Sequence, residues 1–231
     1  MTINILLCDT FPGILGEKDI TYSEMFIDAF SQAGRCLQYR VHSTWRGELP
    51  SIRSDEVYVI TGSTSSAYDS DTWIVKLKEW IVEAARKETM LVGICFGHQV
   101  IAQALGGLVE RSPKGWGVGF RESAVVDSTA REAIGDTLSL LYNHHDQVVR
   151  LPDGALRIAT SDFCPNEGFR IGTRLFTLQG HPEFPVDFER KWITGFAPDE
   201  PEELKARALA SLDTGRNDSK AVMQWILGSL D

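Results

Sequence analysis

Cys95 sits at a corner of the chain. Met90-Leu-Val-Gly-Ile-Cys95-Phe-Gly-His-Gln99 runs an apolar strand straight into an amphipathic helix, with Gly93 and Gly97 on either side of the sulfur. A G-x-C-x-G corner does for a thiol what the G-x-S-x-G elbow does for a serine: small flanking residues permit a strained turn, and the helix N-terminus favours negative charge on the side chain. The expected product is a nucleophilic thiolate; the alternative is an inert, buried cysteine at a strand end. A thiolate nucleophile needs a base distant in sequence and near in space. Arg174-Leu-Phe-Thr-Leu-Gln-Gly180-His181-Pro182-Glu183 reads as a short buried strand, a turn at Gly180, and then His181 and Glu183 displayed past the strand end. In an extended segment residues i and i+2 point the same way, so the Glu183 carboxylate can reach one ring nitrogen of His181 while the other faces the thiol. The pattern predicts a Cys-His-Glu triad, with Cys95, His144 and Asp146 as a rival set.

Taken together, Gly93-Ile-Cys95-Phe-Gly-His-Gln99 and His181-Pro-Glu183 resemble the class I glutamine amidotransferase (Triad) family, especially stand-alone members similar to the amidotransferase domain of GMP synthetase. The resemblance spans Ile3 to Glu183. It implies hydrolysis of the glutamine side-chain amide through a γ-glutamyl thioester, with release of ammonia; no cofactor is expected, and no His/Cys/Asp cluster has metal-ligand spacing. Cys95 would be the nucleophile, His181 the general base and then acid, and Glu183 the orienting carboxylate.

An attacked amide carbonyl becomes an oxyanion that needs preorganised N–H donors. One would be the Phe96 backbone N–H; the second would come from the loop at Gly62-Ser63, after the Val57–Ile60 strand. Many family members carry Gly-Gly-Pro there, whereas this chain has Gly62-Ser63-Thr64. Serine tolerates positive φ poorly, so the loop is expected to rest in an inactive geometry until substrate arrives. Gln99 lies one helical turn after Cys95, and the resemblance implies that it contacts substrate; it could instead cap the elbow. Tyr142-Asn-His144-His-Asp146-Gln-Val resembles the family's His-x-Asp-x-Val segment, which places His144 and Asp146 at the substrate pocket, with a structural hydrogen bond between them as the alternative.

The remaining candidates carry less. His98 follows Cys95 on a helix face expected to be at the surface or partly packed, and His42 and His145 have no companion pattern. Cys8, Cys36 and Cys164 lack C-x-x-C spacing and are read as reduced, packed thiols. Arg111-Ser-Pro-Lys-Gly-Trp116 is read as a β-turn between strands, with a pocket rim covered by Trp116 as the alternative.

The elements that must position these groups alternate as an α/β sheet demands. Strands are expected at Ile3 to Cys8, Leu37 to Val41, Val57 to Ile60 and Met90 onward, and helices at Tyr22 to Ala33 and Thr72 to Lys87, the latter with a stripe of Ile74, Leu77, Ile81 and Ala84. Shorter strands follow at Val118 to Val126, Leu138 to Tyr142 and Leu156 to Thr160. The expected fold is a flavodoxin-like, three-layer α/β sandwich with a mostly parallel central sheet and a smaller, partly antiparallel edge. Strand C-terminal ends line the crevice of such sheets. Residues 1–190 are assigned to the amidotransferase-like domain and 191–231 to a helical tail on it, with a final stripe of Val222, Trp225, Ile226 and Leu230.

With 231 residues, 43% of them hydrophobic, the chain can bury a substantial core, and its net charge of −9 argues against nucleic-acid binding. No apolar run is long enough to span a bilayer or to act as a signal peptide. Four unpatterned cysteines, one wanted as a free thiolate, fit a reducing cytoplasm. The expected partner is a small molecule, glutamine or another γ-glutamyl compound. Because only a short tail follows the Triad region, three readings stay open: pairing with a separate synthetase subunit that accepts the ammonia, a free-standing γ-glutamyl peptidase, and a catalytically weak regulatory protein.

Overall fold

Met90–Ile94 is buried at every residue, as a strand covered on both faces must be. The computed structural model describes residues 1–11, 14, 19–34, 37–196 and 200–229. In chain order its elements are β1 (Thr2–Leu7), α1 (Tyr22–Gln32), β2 (Gln38–Ser43), β3 (Val57–Ile60), α2 (Thr72–Arg86), β4 (Met90–Ile94), α3 (Phe96–Ala104), β5 (Leu108–Arg111), β6 (Gly117–Val125), α4 (Ser128–Ile134), β7 (Thr137–His144), β8 (Asp146–Arg150), β9 (Leu156–Thr160), β10 (Gly168–Ile171), β11 (Leu175–Leu178), α5 (Val186–Gly195), α6 (Glu202–Thr214) and α7 (Ser219–Gly228). The main sheet has nine strands in the order β2-β1-β3-β4-β11-β10-β9-β6-β7, and β5 and β8 form a separate pair. The first five are parallel neighbours; the rest pair antiparallel. The α/β sandwich, with its parallel centre and antiparallel edge, is therefore as expected.

Alternation along β1 shows the three layers. Ile3, Ile5 and Leu7 enter one core with Met25, Phe26 and Phe30 of α1. Leu6 and Cys8 enter the other with Ile74, Leu77 and Ile81 of α2. A capping box starts α1: Thr21 accepts from the Glu24 amide, and the Glu24 side chain accepts from the Thr21 amide at 2.7 Å. Because β3, β4 and β11 are parallel, the loop at Gly62, the corner at Cys95 and the segment at His181 all leave the same edge of the sheet.

The antiparallel half differs from expectation. Helix α4 interrupts the stretch read as strands and turns; the Asp127 carboxylate caps it by accepting from the Thr129 and Ala130 amides. Strands β5, β8 and β10 are additional. The tail is three helices, the first of which, α5, runs across position 190. Helix α6 packs on β6, where a methyl group on Gly119 would lie 2.5 Å from Ser211 Oγ. Val222, Trp225 and Ile226 of α7 are buried in the same core as Ile3 and Phe26. Leu230 and Cys36 lie outside the described residues. Among the described residues no helix is long and apolar enough to cross a membrane.

Candidate active site

Cys95 adopts φ 54°, ψ −105° immediately before α3, a strained conformation for a side chain with a Cβ. The flanking glycines explain how it is held. A methyl group on Gly97 would lie 2.1 Å from the Ile60 carbonyl oxygen, and one on Gly93 would lie 2.6 Å from the Gly97 oxygen. Only glycine lets α3 press this closely on β3. The Cys95 amide donates to Leu178 O at 2.9 Å, which ties the corner to β11.

His181 comes from the segment after β11. Its amide donates to Leu141 O at 2.8 Å, and its ring lies flat on Phe184, with centroids 3.8 Å apart and planes 6° apart. Nδ1 and Glu183 Oε1 are 2.7 Å apart. Burial pulls the His181 imidazolium down, but the Glu183 carboxylate and the Cys95 sulfur together outweigh it and raise the imidazole to about 10. Gly62 marks where the parts meet: a methyl group built on it would lie 3.2 Å from His181 Cε1 and 3.7 Å from Cys95 Cβ.

The loop after β3 does not have the expected strained geometry. Neither Gly62 nor Ser63 has positive φ, so a serine at position 63 meets no backbone penalty. Gly62 is required by space instead, because its methyl group would lie 2.6 Å from the Tyr22 hydroxyl oxygen. The Gly62 N–H donates to that hydroxyl at 2.8 Å, and the hydroxyl donates to Glu183 Oε1 at 3.1 Å. Asp9 accepts from the Thr64 amide at 2.9 Å and its hydroxyl at 2.7 Å. Ser66 Oγ donates to Asp146 Oδ2 at 2.6 Å. Phe96, the first residue of α3, presents one of the amides that a helix start leaves without an internal acceptor.

Gln99 lines the same cleft. Its Nε2 donates to Asp146 O at 2.8 Å and to Gln179 Oε1 at 3.1 Å, and Gln179 Nε2 lies 3.6 Å from Cys95 Sγ. His144 Nδ1 meets the backbone oxygen of Asp146 at 2.9 Å, while the Asp146 carboxylate is held by Ser66 and by Tyr68 at 3.2 Å. His144 is lowered to about 3, chiefly by burial. It is thus a neutral ring without a carboxylate partner, and the rival set of Cys95, His144 and Asp146 lacks an orienting contact.

Two side-chain expectations are corrected. His98 is fully buried, meets Thr177 Oγ1 at 2.8 Å and is lowered to about 3, first by burial. Its helix is buried from Phe96 through Ala102 against the sheet, α2 and the β5–β8 pair, so His98 faces no solvent. The stretch after Arg111 is the β-turn expected between strands, β5 and β6, with the Gly115 N–H donating to Ser112 O at 3.3 Å. Trp116 beyond it is buried and also lines the cleft, the alternative role, its indole stacking on His145 at 6.0 Å and 9° and its Nε1 donating to Asn143 Oδ1 at 2.9 Å. His145 has a companion after all, Glu200 Oε1 at 2.8 Å. The cleft holds about 320 Å³ and reaches from Cys95 and His181 past Trp116, Trp192 and Phe196 to Glu200. Sequence reasoning missed Tyr22, Gln179, Asn143 and the fully buried Glu189, which approach the site from separate elements. A cysteine, a histidine with its ring nitrogen on a carboxylate, and free backbone amides at a helix start form a constellation able to transfer acyl groups.

The family model described as Glutamine amidotransferase class-I matches residues 20–193. Gamma-glutamyl peptidase 3 of Arabidopsis thaliana is 33% identical over 173 residues, covering 71% of this chain and 69% of the relative. The glutamine-hydrolyzing GMP synthase subunit of Archaeoglobus fulgidus is 34% identical over 109 residues, 45% of this chain and 60% of the relative. Among solved structures, a glutamine amidotransferase of Thermotoga maritima superposes with a TM-score of 0.75 at 24% identity, covering 99% of this chain and 95% of that one; this likeness is one of fold.

Proposed function

This chain belongs to the glutamine amidotransferase class-I family, and on that premise we propose that it hydrolyses γ-glutamyl amides through a thioester on Cys95. The Cys95 thiolate attacks the side-chain carbonyl carbon, and the carbonyl π electrons move onto oxygen. That oxyanion is met by the Phe96 amide and by the Ser63 amide of the Gly62–Ser63 loop, because the Gly62 N–H is already donated to Tyr22. His181, held by Glu183 through Nδ1, gives its Nε2 proton to the departing nitrogen as the C–N bond breaks. It then takes a proton from water, which attacks the thioester; glutamate leaves and the thiolate returns. Gln99, His144 and Asp146 shape the pocket for the γ-glutamyl group. The observation that carries this reading is the 2.7 Å contact between His181 and Glu183 at the cleft that holds Cys95.

A second reading differs only in the leaving group. The aromatic rim of Trp116, Trp192 and Phe196 gives the cleft room for an amine larger than ammonia, and a relative carries the name gamma-glutamyl peptidase. If ammonia is the product, the proposed acceptor is a synthetase subunit, in keeping with a relative named as a subunit of glutamine-hydrolyzing GMP synthase. The sulfurs of Cys8, Cys95 and Cys164 are all free, a state that a reducing cytoplasm maintains.

The test is incubation of the purified protein with glutamine and a panel of γ-glutamyl dipeptides, with release of ammonia and of free amine followed separately. Hydrolysis that disappears in Cys95→Ala is expected. No turnover of any γ-glutamyl amide, or an undiminished rate in the alanine variant, would end the proposal. Amine release well above ammonia release selects the peptidase reading.

A further inference from the structure

Tyr22 stands at the start of α1, far in sequence from every group in the mechanism, and is 1% exposed. Its hydroxyl makes two bonds of opposite sense: it accepts from the Gly62 N–H at 2.8 Å and donates to Glu183 Oε1 at 3.1 Å. The same Oε1 faces His181 Nδ1 at 2.7 Å, so one carboxylate oxygen serves both the base and the tyrosine. The ring is wedged by Phe11 at 4.5 Å and Phe184 at 5.9 Å, and Phe184 also stacks on His181. The space is cut to this side chain, since even a methyl group at Gly62 would collide with the hydroxyl.

We propose that Tyr22 is a positioning residue, a strut that keeps the oxyanion loop after β3 in register with the His181–Glu183 pair. Oxyanion donors are useful only if they lie within a fraction of an ångström of the developing charge when the base lies within reach of the leaving nitrogen. The loop and the base arrive on different strands, β3 and β11, separated by β4. Tyr22 joins them by two hydrogen bonds through a single atom. The hydroxyl also draws charge from Glu183, which tempers the hold of the carboxylate on the His181 proton. Burial, followed by the charges of Glu183 and Cys95, keeps the phenol protonated far beyond the working range, so it remains a donor.

The proposal rests on Cys95 and His181 being the reacting pair, and its test is chosen to be readable without turnover. In Tyr22→Phe the Gly62 N–H loses its acceptor and Glu183 loses a donor. With γ-glutamyl substrate, kcat is expected to fall about tenfold or more while KM stays within about twofold, the pattern of an interaction expressed in the transition state. In parallel, the rate of Cys95 alkylation by iodoacetamide is followed against pH. The ionisable groups facing His181 are Cys95 before α3, Glu183 on its own segment, Tyr22 on α1, His144 on β7 and Glu189 on α5; of these only Tyr22 is altered. The alkaline step, where His181 gives up its proton, is expected to move to higher pH. A folded Tyr22→Phe protein with wild-type kcat and an unmoved alkaline step would overturn the proposal. Should that variant fail to fold, 3-fluorotyrosine at position 22 keeps the shape while strengthening the donor. The step is then expected to move to lower pH, and an unmoved step refutes the strut. Absence of turnover in the wild type would defeat the hydrolase reading, and the alkylation profiles would still decide the role of Tyr22.

Discussion

Replacing Glu189 with glutamine is expected to make the protein less stable in acid and more stable at mildly alkaline pH. Glu189, on α5, is fully buried and, among the described residues, forms no ion pair. It accepts two long hydrogen bonds, from the Gly119 N–H and from Asn143 Nδ2, each at 3.4 Å. Burial pushes its carboxyl from 4.5 to about 7, with the charge of His181 and the two donors offsetting part of the rise. A carboxyl that is raised on folding keeps its proton in the native state after the unfolded chain has lost it. The stability it contributes is therefore complete below pH 4.5 and is lost as pH rises through 7. At about 1.4 kcal/mol per pH unit, the interval from 4.5 to about 7 corresponds to about 3 kcal/mol of strain at pH 8. Glutamine removes that term but offers one oxygen to two donors. Asn143 cannot turn to help, because its Oδ1 holds the Trp116 indole N–H, so one donor faces an amide nitrogen at a cost of about 1–2 kcal/mol. The net expectation for Glu189→Gln is a loss of about 1–2 kcal/mol at pH 4 and a gain of about 1–2 kcal/mol at pH 8. Urea unfolding of both proteins across this range reads the difference directly. A difference of the same sign and size at both pH values would refute the assignment of a strained buried carboxylate.

Two further expectations concern the corner and the base. Gly97→Ala drives a methyl group to 2.1 Å from the Ile60 oxygen, so its melting temperature should drop by an amount equivalent to about 3 kcal/mol or more, whereas Gly228→Ala, with nothing within 4 Å, should be neutral or slightly stabilising. His181→Ala should lower kcat by about a thousandfold or more and Glu183→Ala by clearly less, since orientation is the secondary contribution; equal losses would contradict the roles. Because His181 is raised on folding from 6.5 to about 10, its stabilisation is complete below pH 6.5 and fades as pH rises through 10. His181→Ala should therefore remove that alkaline slope from urea unfolding curves.

The parallel half of the fold was legible because its strands are covered on both faces and its helices carry one apolar stripe. Val57–Ile60 and the helix starts at Tyr22 and Thr72 stand where periodicity puts them. The antiparallel half was less so for a physical reason. Strand β5 has one buried residue and β8 two, and α4 buries only Ala130, so none has a pattern long enough to read; for α4 the sole signal is Asp127 as a cap. In the site, Cys95, His181 and Glu183 were legible because their geometry is local: a corner between glycines, and two residues at i and i+2. Tyr22 was not, since its bond to Glu183 spans 161 positions and follows from which helix lies under which loop. Glu189 was hidden inside the apolar spacing of Phe188, Trp192 and Ile193, where a carboxylate reads as an outward charge.

Strand β7 ends the nine-stranded sheet, yet its outer side is occupied. The Ser139 amide donates to Asp218 Oδ2 at 2.8 Å, Ser139 O accepts from the Asp218 amide at 2.9 Å, and Leu141 O accepts from the His181 amide. A bare sheet margin invites pairing with a strand from another molecule. Along this stretch the invitation is withdrawn by the turn before α7 and by the His181 segment, so a second copy that continued the sheet here would have to unseat His181.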